Sequence, residues 1–383
     1  MTSEESNEEE SYARFRGKYD WLIVGAGLTG STFAQKAKEA GKRCLVIDQR
    51  PHIGGNCYTE EKEGTQVHVY GPHVFHCNDD ETWGYVNRFT KFNHFVCRPK
   101  VNYQGKMFSF PINMMTLYQL WGVQTPAEAK ILLAEVTRSY RERYPQPRNM
   151  EEWALTQVGR DIYERFVYGY TTKQWMRTPD KLPASILRRL PIRLTWDDNY
   201  FNDKYQGIPI GGYTQIFENM LQGIEVQLGV DFFKEQHTLE AMCDKILYTG
   251  PIDKLYGYVH GELEYRTLRF EHTVNLGDVQ GTATVNYTER DIPWTRQVEH
   301  KHFEFKDNLP TSVVTREFPE VWTKDAIPYY PINDDKNGEV YQKYKKLADS
   351  DPKYVVGGRL GRYTYTDMGP CVSSALALAK RHL

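Results

Sequence analysis

The run Gly25-Ala26-Gly27-Leu28-Thr29-Gly30 directly follows the apolar stretch Trp21-Leu22-Ile23-Val24, and it constrains the fold more than any other feature. The apolar stretch reads as a buried strand. Leu28 to Ala40, with Phe33 and Ala37 on one face, reads as a helix. Gly25 permits a tight turn, Gly27 lets the backbone approach a pyrophosphate at the helix N-terminus, and Gly30 allows close helix–strand packing. Gly41 ends the helix, and Arg43 to Ile47 read as a second strand. Asp48 closes that strand, eighteen residues after Gly30, where an acid can accept the hydroxyls of an adenosine ribose. The pattern predicts a dinucleotide-binding unit.

Asp48 is followed by Gln49-Arg50-Pro51-His52-Ile53-Gly54-Gly55-Asn56. A nicotinamide domain ordinarily runs straight on into its next helix. An acid followed by Gly-Gly instead resembles the flavoproteins of the amine-oxidase type, where the glycines let the chain pass the cofactor without Cβ clashes. This favours FAD over NAD.

Charge and composition remove other classes. The formal net charge of the 383-residue chain is -2, so no global field favours nucleic acid or membrane, and an anionic ligand must be met by local basic residues. The 27 tyrosines outnumber the 17 phenylalanines, and a buried tyrosine needs a partner for its hydroxyl. Many must therefore line a polar cleft or a surface. Cys44, Cys57, Cys77, Cys97, Cys243 and Cys371 form no CxxC and no cluster, which reads as reduced thiols and no metal site. No apolar run is long enough to span a membrane. Residues 1–17 carry Glu4, Glu5, Glu8, Glu9 and Glu10 and read as a disordered acidic tail rather than a signal peptide, which leads us to expect a cytoplasmic protein.

Beyond the tail, the chain is expected to leave the nucleotide domain and return. Residues 18–85 form its first part, and 86–110 the first strands of an antiparallel sheet. Residues 111–190 form a helical domain, with amphipathic stretches at Ala127–Tyr140 and Met150–Tyr168. Residues 205–255 return to the nucleotide domain through a helix at Thr214–Leu221 and strands at Ile224–Leu228 and Lys245–Thr249. Residues 256–338 complete the antiparallel sheet, with strands at Thr282–Tyr287 and Ser312–Phe318. Residues 339–383 close the nucleotide domain with the strand Lys353–Val356 and a helix from Met368 that Asp367 can cap. The fold class is thus α/β: a Rossmann-like FAD-binding domain with an inserted helical domain and an antiparallel β-sheet domain.

Several longer motifs occur together: Tyr70-Gly71-Pro72-His73-Val74-Phe75-His76, Gly169-Tyr170-Thr171-Thr172-Lys173-Gln174-Trp175, Asp198-Asn199-Tyr200-Phe201, Thr295-Arg296-Gln297-Val298-Glu299-His300, Pro328-Tyr329-Tyr330-Pro331 and Gly357-Gly358-Arg359. With His52-Ile53-Gly54-Gly55-Asn56 and Tyr205-Gln206-Gly207-Ile208-Pro209 they make the chain resemble the bacterial-type UDP-galactopyranose mutases over roughly residues 18–380. Pro72 departs from the alanine usual at that place.

The resemblance implies interconversion of UDP-galactopyranose and UDP-galactofuranose without net redox change. It implies FAD in its reduced form, FADH-, with flavin N5 attacking the anomeric carbon and UDP leaving. It implies that Arg189, on a mobile loop at about 180–195, and Arg296 clamp the diphosphate. Tyr170 is expected to stack on uracil and Trp175 to lie beside the sugar. Tyr200, Tyr330 and Tyr365 are expected on the diphosphate, with Phe166 also contacting substrate. His73 is expected near the flavin, in cofactor contact and assisting proton transfer at the sugar. Asn56, Val230, Gly358, Arg359, Asp367 and Met368 complete the cofactor contacts beside the glycines and Asp48. A homodimer and an unidentified reductant are further expectations of the resemblance. An amine-oxidase-like FAD oxidoreductase shares the nucleotide signatures and stays open at this point, although an amine substrate needs no diphosphate clamp.

Overall fold

The computed structural model describes residues 17–188 and 191–383. The expected tail therefore lies outside the described residues but for Gly17, and so does Arg189.

Strand β1 (Tyr19–Val24) leads through the glycine turn into helix α1 (Leu28–Glu39) and strand β2 (Cys44–Asp48). The strands' side chains are almost wholly buried, as continuous apolar runs in a parallel sheet must be. Strands β3 (Thr59–Lys62) and β4 (Thr65–His68) make a hairpin, and β5 (Phe75–Cys77) follows. A second hairpin, β6 (Lys100–Tyr103) and β7 (Lys106–Ser109), precedes the helices α2 (Met114–Trp121), α3 (Pro126–Arg143), α4 (Met150–Ile162), α5 (Gly169–Trp175) and α6 (Ser185–Arg188). Strand β8 (Tyr205–Gly207) returns to pair with β5, and helix α7 (Thr214–Leu221) follows. Then come β9 (Glu225–Leu228), β10 (Cys243–Tyr248), β11 (Tyr265–Leu276), β12 (Thr284–Tyr287), β13 (Arg296–Glu299), β14 (Thr311–Val321), β15 (Tyr330–Pro331) and β16 (Tyr354–Val356). Helix α8 (Met368–His382) ends the chain.

Two sheets organise these elements. The first has the order β16-β10-β1-β2-β9 and is parallel throughout. Helix α8 packs against α1 on one face of it. The second has the order β15-β11-β14-β13-β12-β6-β7 and is antiparallel except for the parallel β6–β12 pair. A separate apolar cluster joins β6 and β7 to the helices, with Phe108, Met114, Ala154 and Phe166 buried in it.

Two local readings of the sequence are corrected. The stretch Met150–Tyr168 is not one helix. Gly159 has φ +73°, and the chain continues from Tyr163 to Tyr168 as a π-helix. Gly159 sits so close to α3 that a Cβ there would lie 3.1 Å from the Val136 carbonyl oxygen, so the break lets the two helices touch. Asp367 stands at the N-terminus of α8, yet its side chain makes no capping hydrogen bond. Its carboxylate lies 3.8 Å from His76 Nε2 instead.

Candidate active site

The C-terminal ends of β1, β2 and β10 open into a cavity of about 1240 Å³ that runs on between the second sheet and the helices. At the first end, Gly25 has φ +108°, and a Cβ there would strike the Thr249 hydroxyl at 2.1 Å. A Cβ on Gly55 would lie 3.1 Å from Gly27 Cα, so Gly27, Gly54 and Gly55 form a close-set backbone cradle in the cavity wall. The Asp48 carboxylate closes the cradle, accepting from the Ala26 amide at 2.8 Å and the Arg50 amide at 2.9 Å. Val230 lies beside it, its amide donating to the Asp48 carbonyl at 3.0 Å.

Arg50 was not singled out in the sequence. One guanidinium nitrogen donates to Asn56 Oδ1 at 2.9 Å, the group lies 4.3 Å from the Tyr70 ring centre, and Nη1 is buried without a hydrogen-bond partner among the described residues. The Asn56 side chain thus holds Arg50. A cradle of glycines, an acid lining the cavity beside it and an orphaned guanidinium nitrogen fit a dinucleotide diphosphate. Gly30 lies behind the cradle. A Cβ at Gly30 would lie 1.9 Å from the Gly25 carbonyl oxygen, so Gly30→Ala is expected to cost about 3 kcal/mol and to leave the purified protein without bound dinucleotide, read by the ultraviolet absorbance of nucleotide released on denaturation.

His73, Gly358, Arg359, Asp367 and Met368 line the middle of the cavity. His73 Nδ1 lies 2.8 Å from the Gly71 carbonyl oxygen, which only accepts, so Nδ1 carries the proton and Nε2 is bare. Burial first, and then the charges of Arg359 and Arg296, lower its pKa to about 4 against the pull of the Gly71 carbonyl. The ring is neutral at neutral pH. Its loop is held from behind by a buried chain. The His73 amide donates to His68 Nδ1 at 3.0 Å, and the His68 amide donates to His300 Nδ1 at 3.2 Å. His300 Nε2 then donates to the Thr315 hydroxyl at 2.6 Å, and that hydroxyl donates to His272 Nδ1 at 2.7 Å.

At the far end the cavity is walled by Phe166, Tyr170 and Trp175 from the helical segment, by Tyr200, and by Arg296, Tyr330 and Tyr365. Phe166 is itself a core residue, with its ring edge-on to Phe108 at 5.4 Å. The Tyr330 and Tyr365 rings lie 5.6 Å apart. Arg296 Nε donates to Glu317 Oε2 at 2.9 Å, and the Glu317 side chain is only 2% exposed. Burial works against the Arg296 charge, but Glu317 beside it and the phenols of Tyr170 and Tyr330 outweigh burial and hold it protonated. Burial pushes the Glu317 carboxyl up against the pull of Arg296, and its Oε1 has no hydrogen-bond partner among the described residues. Glu317 was not found from sequence, because its link to Arg296 is a strand register, Arg296 opposite Glu317. Arg266 was missed too. It is 6% exposed on β11 and lines the cavity; Nε donates to the Gln174 carbonyl at 3.2 Å, and Nη2 has no partner among the described residues.

The structure thus brings every expected site residue except the undescribed Arg189 to one cavity. Outside it, Asp278, Glu299 and His302 lie together, with the Lys301 ammonium 3.8 Å from Asp278 and both Glu299 oxygens accepting backbone amides.

A five-stranded parallel sheet with a glycine cradle at its edge, opening into a second cleft lined by tyrosines and arginine, defines a Rossmann-like dinucleotide-binding protein. A model of the NAD(P)-binding Rossmann-like domain matches residues 23–89, and the family model described as UDP-galactopyranose mutase matches residues 165–365. The "Probable UDP-galactopyranose mutase" of Klebsiella pneumoniae is 41% identical over 367 residues, 94% of this chain and 94% of that protein. The dTDP-fucopyranose mutase of Escherichia coli is 38% identical over 371 residues, 94% of this chain and 98% of that protein. A crystal structure of reduced UDP-galactopyranose mutase has the same fold, with a TM-score of 0.72 at 14% identity, covering 95% of this chain and 93% of that one. The chain belongs to the UDP-galactopyranose mutase family and is an isomerase.

Proposed function

We propose that this protein interconverts UDP-galactopyranose and UDP-galactofuranose with no net redox change, using FAD held in its reduced state. The observation that carries this reading is the single cavity: a dinucleotide cradle at one end, and at the other a charged Arg296 among tyrosines. Reduced FAD, when bound, supplies a nucleophile for the anomeric carbon at N5, with UDP as leaving group.

The rest is the work of the chain. Arg296 and Arg189 meet the diphosphate, and each charge near it is worth on the order of 4 kcal/mol at an effective dielectric near 20. Arg266 offers a further unpaired guanidinium nitrogen from the same wall. Tyr200, Tyr330 and Tyr365 donate neutral hydrogen bonds from stiff side chains, and Tyr170 and Trp175 fix the base and sugar. Neutral His73 presents a bare Nε2 toward the cavity, suited to accept a sugar hydroxyl proton. Segments 18–85, 205–255 and 339–383 act as one cofactor-binding unit. The protein works in the cytoplasm as a homodimer and draws on a separate reductant.

A second reading rests on the near-equal similarity to the dTDP-fucopyranose mutase. The chemistry is the same and the nucleotide and the sugar differ. Chromatography of UDP-galactofuranose incubated with the protein, with and without dithionite, tests the first reading. Conversion to UDP-galactopyranose far beyond one turnover per flavin, and only after reduction, is expected. Conversion of the furanose form of dTDP-fucose in its place shifts the assignment to the second. Arg189→Ala is expected to abolish nearly all turnover while FAD stays bound; full activity in that variant removes Arg189 from the clamp.

A further inference from the structure

The Lys173 ammonium on α5 donates to three main-chain carbonyls at once: Tyr287 at 2.8 Å, Ile292 at 2.9 Å and Trp294 at 2.9 Å. An ammonium has three hydrogens and no acceptor capacity, so this one is saturated by a single turn, that joining β12 to β13. None of the three acceptors carries a formal charge. Burial lowers the Lys173 pKa to about 8, opposed by Glu289 from the same turn.

The same turn meets the helix at a second point. A Cβ on Gly169 would lie 2.1 Å from the Thr288 carbonyl oxygen, so backbone touches backbone there. From the other side, Arg266 holds the Gln174 carbonyl of α5. Both partners of this junction lead into the cavity. Helix α5 carries Tyr170 and Trp175, and the turn ends at Trp294, two residues before Arg296.

We propose that Lys173 is a positioning residue that locks the helix bearing Tyr170 and Trp175 to the strand bearing Arg296. The aromatic and cationic halves of the nucleotide-sugar site thereby keep one separation. This rests on the function proposed above for the site. It explains why a lysine, rather than a neutral donor, stands between helix and turn. An ammonium directs three donors from one point toward three diverging carbonyls, where a neutral amide has two and a guanidinium spreads its donors over a planar fork.

The test uses FAD-loaded protein. Lys173→Met keeps the stem and removes every donor. The variant is expected to keep its flavin. Its UDP affinity, followed by tryptophan fluorescence, is expected to fall by about tenfold, since buried carbonyls lose their partner. The loss in kcat/KM is expected mainly in KM. Hydrogen exchange is expected to quicken at residues 169–175 and 287–295 together, and little elsewhere. Lys173→Ala with added methylammonium, which fits the vacated place and restores the donors, is expected to recover UDP affinity in a saturable way. Unchanged UDP affinity and exchange in Lys173→Met overturns the proposal. So does a Lys173→Ala variant that methylammonium does not rescue, including one that folds poorly with and without it. Wild-type protein that binds UDP yet converts no UDP-galactofuranose defeats the functional reading while leaving the binding and exchange arms able to judge Lys173.

Discussion

Arg296→Ala will lower kcat/KM for UDP-galactofuranose by roughly 10³-fold while the flavin remains bound. The guanidinium faces the cavity with its side chain 26% exposed, whereas its partner Glu317 is 2% exposed behind it. Glu317 therefore does not compete for the substrate side of the group. It fixes Nε and leaves the remaining nitrogens for an anion. Removing the arginine deletes the charge proposed to stabilise the departing diphosphate, and it strands a buried carboxyl. That carboxyl is already pushed toward its neutral form by burial, so it will protonate rather than unfold the sheet. Arg296→Lys will recover little, because one ammonium cannot both hold Glu317 and present a planar fork. Glu317→Gln will cost less, about tenfold, since the charge stays and only its aim suffers. Flavin absorbance, melting temperature and steady-state kinetics on the same preparations separate these outcomes. An Arg296→Ala variant with near-native turnover would remove the clamp from the reading altogether.

The second large effect is acid lability. His68 and His300 are 1% and 0% exposed. Burial, then the neighbouring His300 and His73, hold His68 well below its ordinary pKa, and burial with His272 lowers His300 to about 3. In the unfolded chain both recover a pKa near 6.5. Below that value the unfolded state binds protons that the folded state refuses, so stability is full above about pH 6.5 and falls as pH drops toward 3. His73, lowered to about 4, adds a third proton, so the slope approaches about 4 kcal/mol per pH unit below about pH 5.5. Urea unfolding from pH 7.5 down to 4.5 measures it. His68→Phe fits beside Phe303, whose ring stacks on His68 at 4.7 Å, and will reduce the slope by about one proton. The variant will cost about 1–2 kcal/mol at pH 7.5, because the His73 amide loses its acceptor. A flat stability curve in the wild-type protein would mean that these rings are charged or solvated.

What the sequence made readable was what depends on neighbours in the chain. The glycine turn, α1, β2 and Asp48 sit within thirty or so residues of one another, and each glycine states a steric need that the structure bears out at Gly25 and Gly30. Strands such as β10 and β14 were found with ends displaced by a few residues, because apolar patterning fades before pairing ends. What stayed hidden depends on residues that only the fold brings together. Arg266 sits second in its strand, and nothing in its neighbours shows that its head is buried in a cavity wall. Glu317 acquires meaning only through its register opposite Arg296. The break at Gly159 follows from the closeness of Val136, in a different helix. Asp367 had the right type and place for a cap, yet its side chain makes no capping bond and lies 3.8 Å from His76, a residue nearly three hundred positions away in sequence.

The parallel sheet takes its strands from three visits of the chain: β1 and β2 near the start, β9 and β10 past the middle, and β16 close to the end, with α8 then laid against α1. On the ribosome this ordering delays the cofactor unit. The glycine cradle is synthesised about three hundred residues before its flank at Gly358 and the helix behind it. The earliest-made strands must therefore wait, with their apolar faces uncovered, while the two inserted regions are translated. The helical segment, whose contacts are mostly near in sequence, is free to condense first. Deletion of α8 should accordingly act as a failure of assembly at birth, releasing flavin-free chains to chaperones and proteases, rather than as a simple loss of catalytic power.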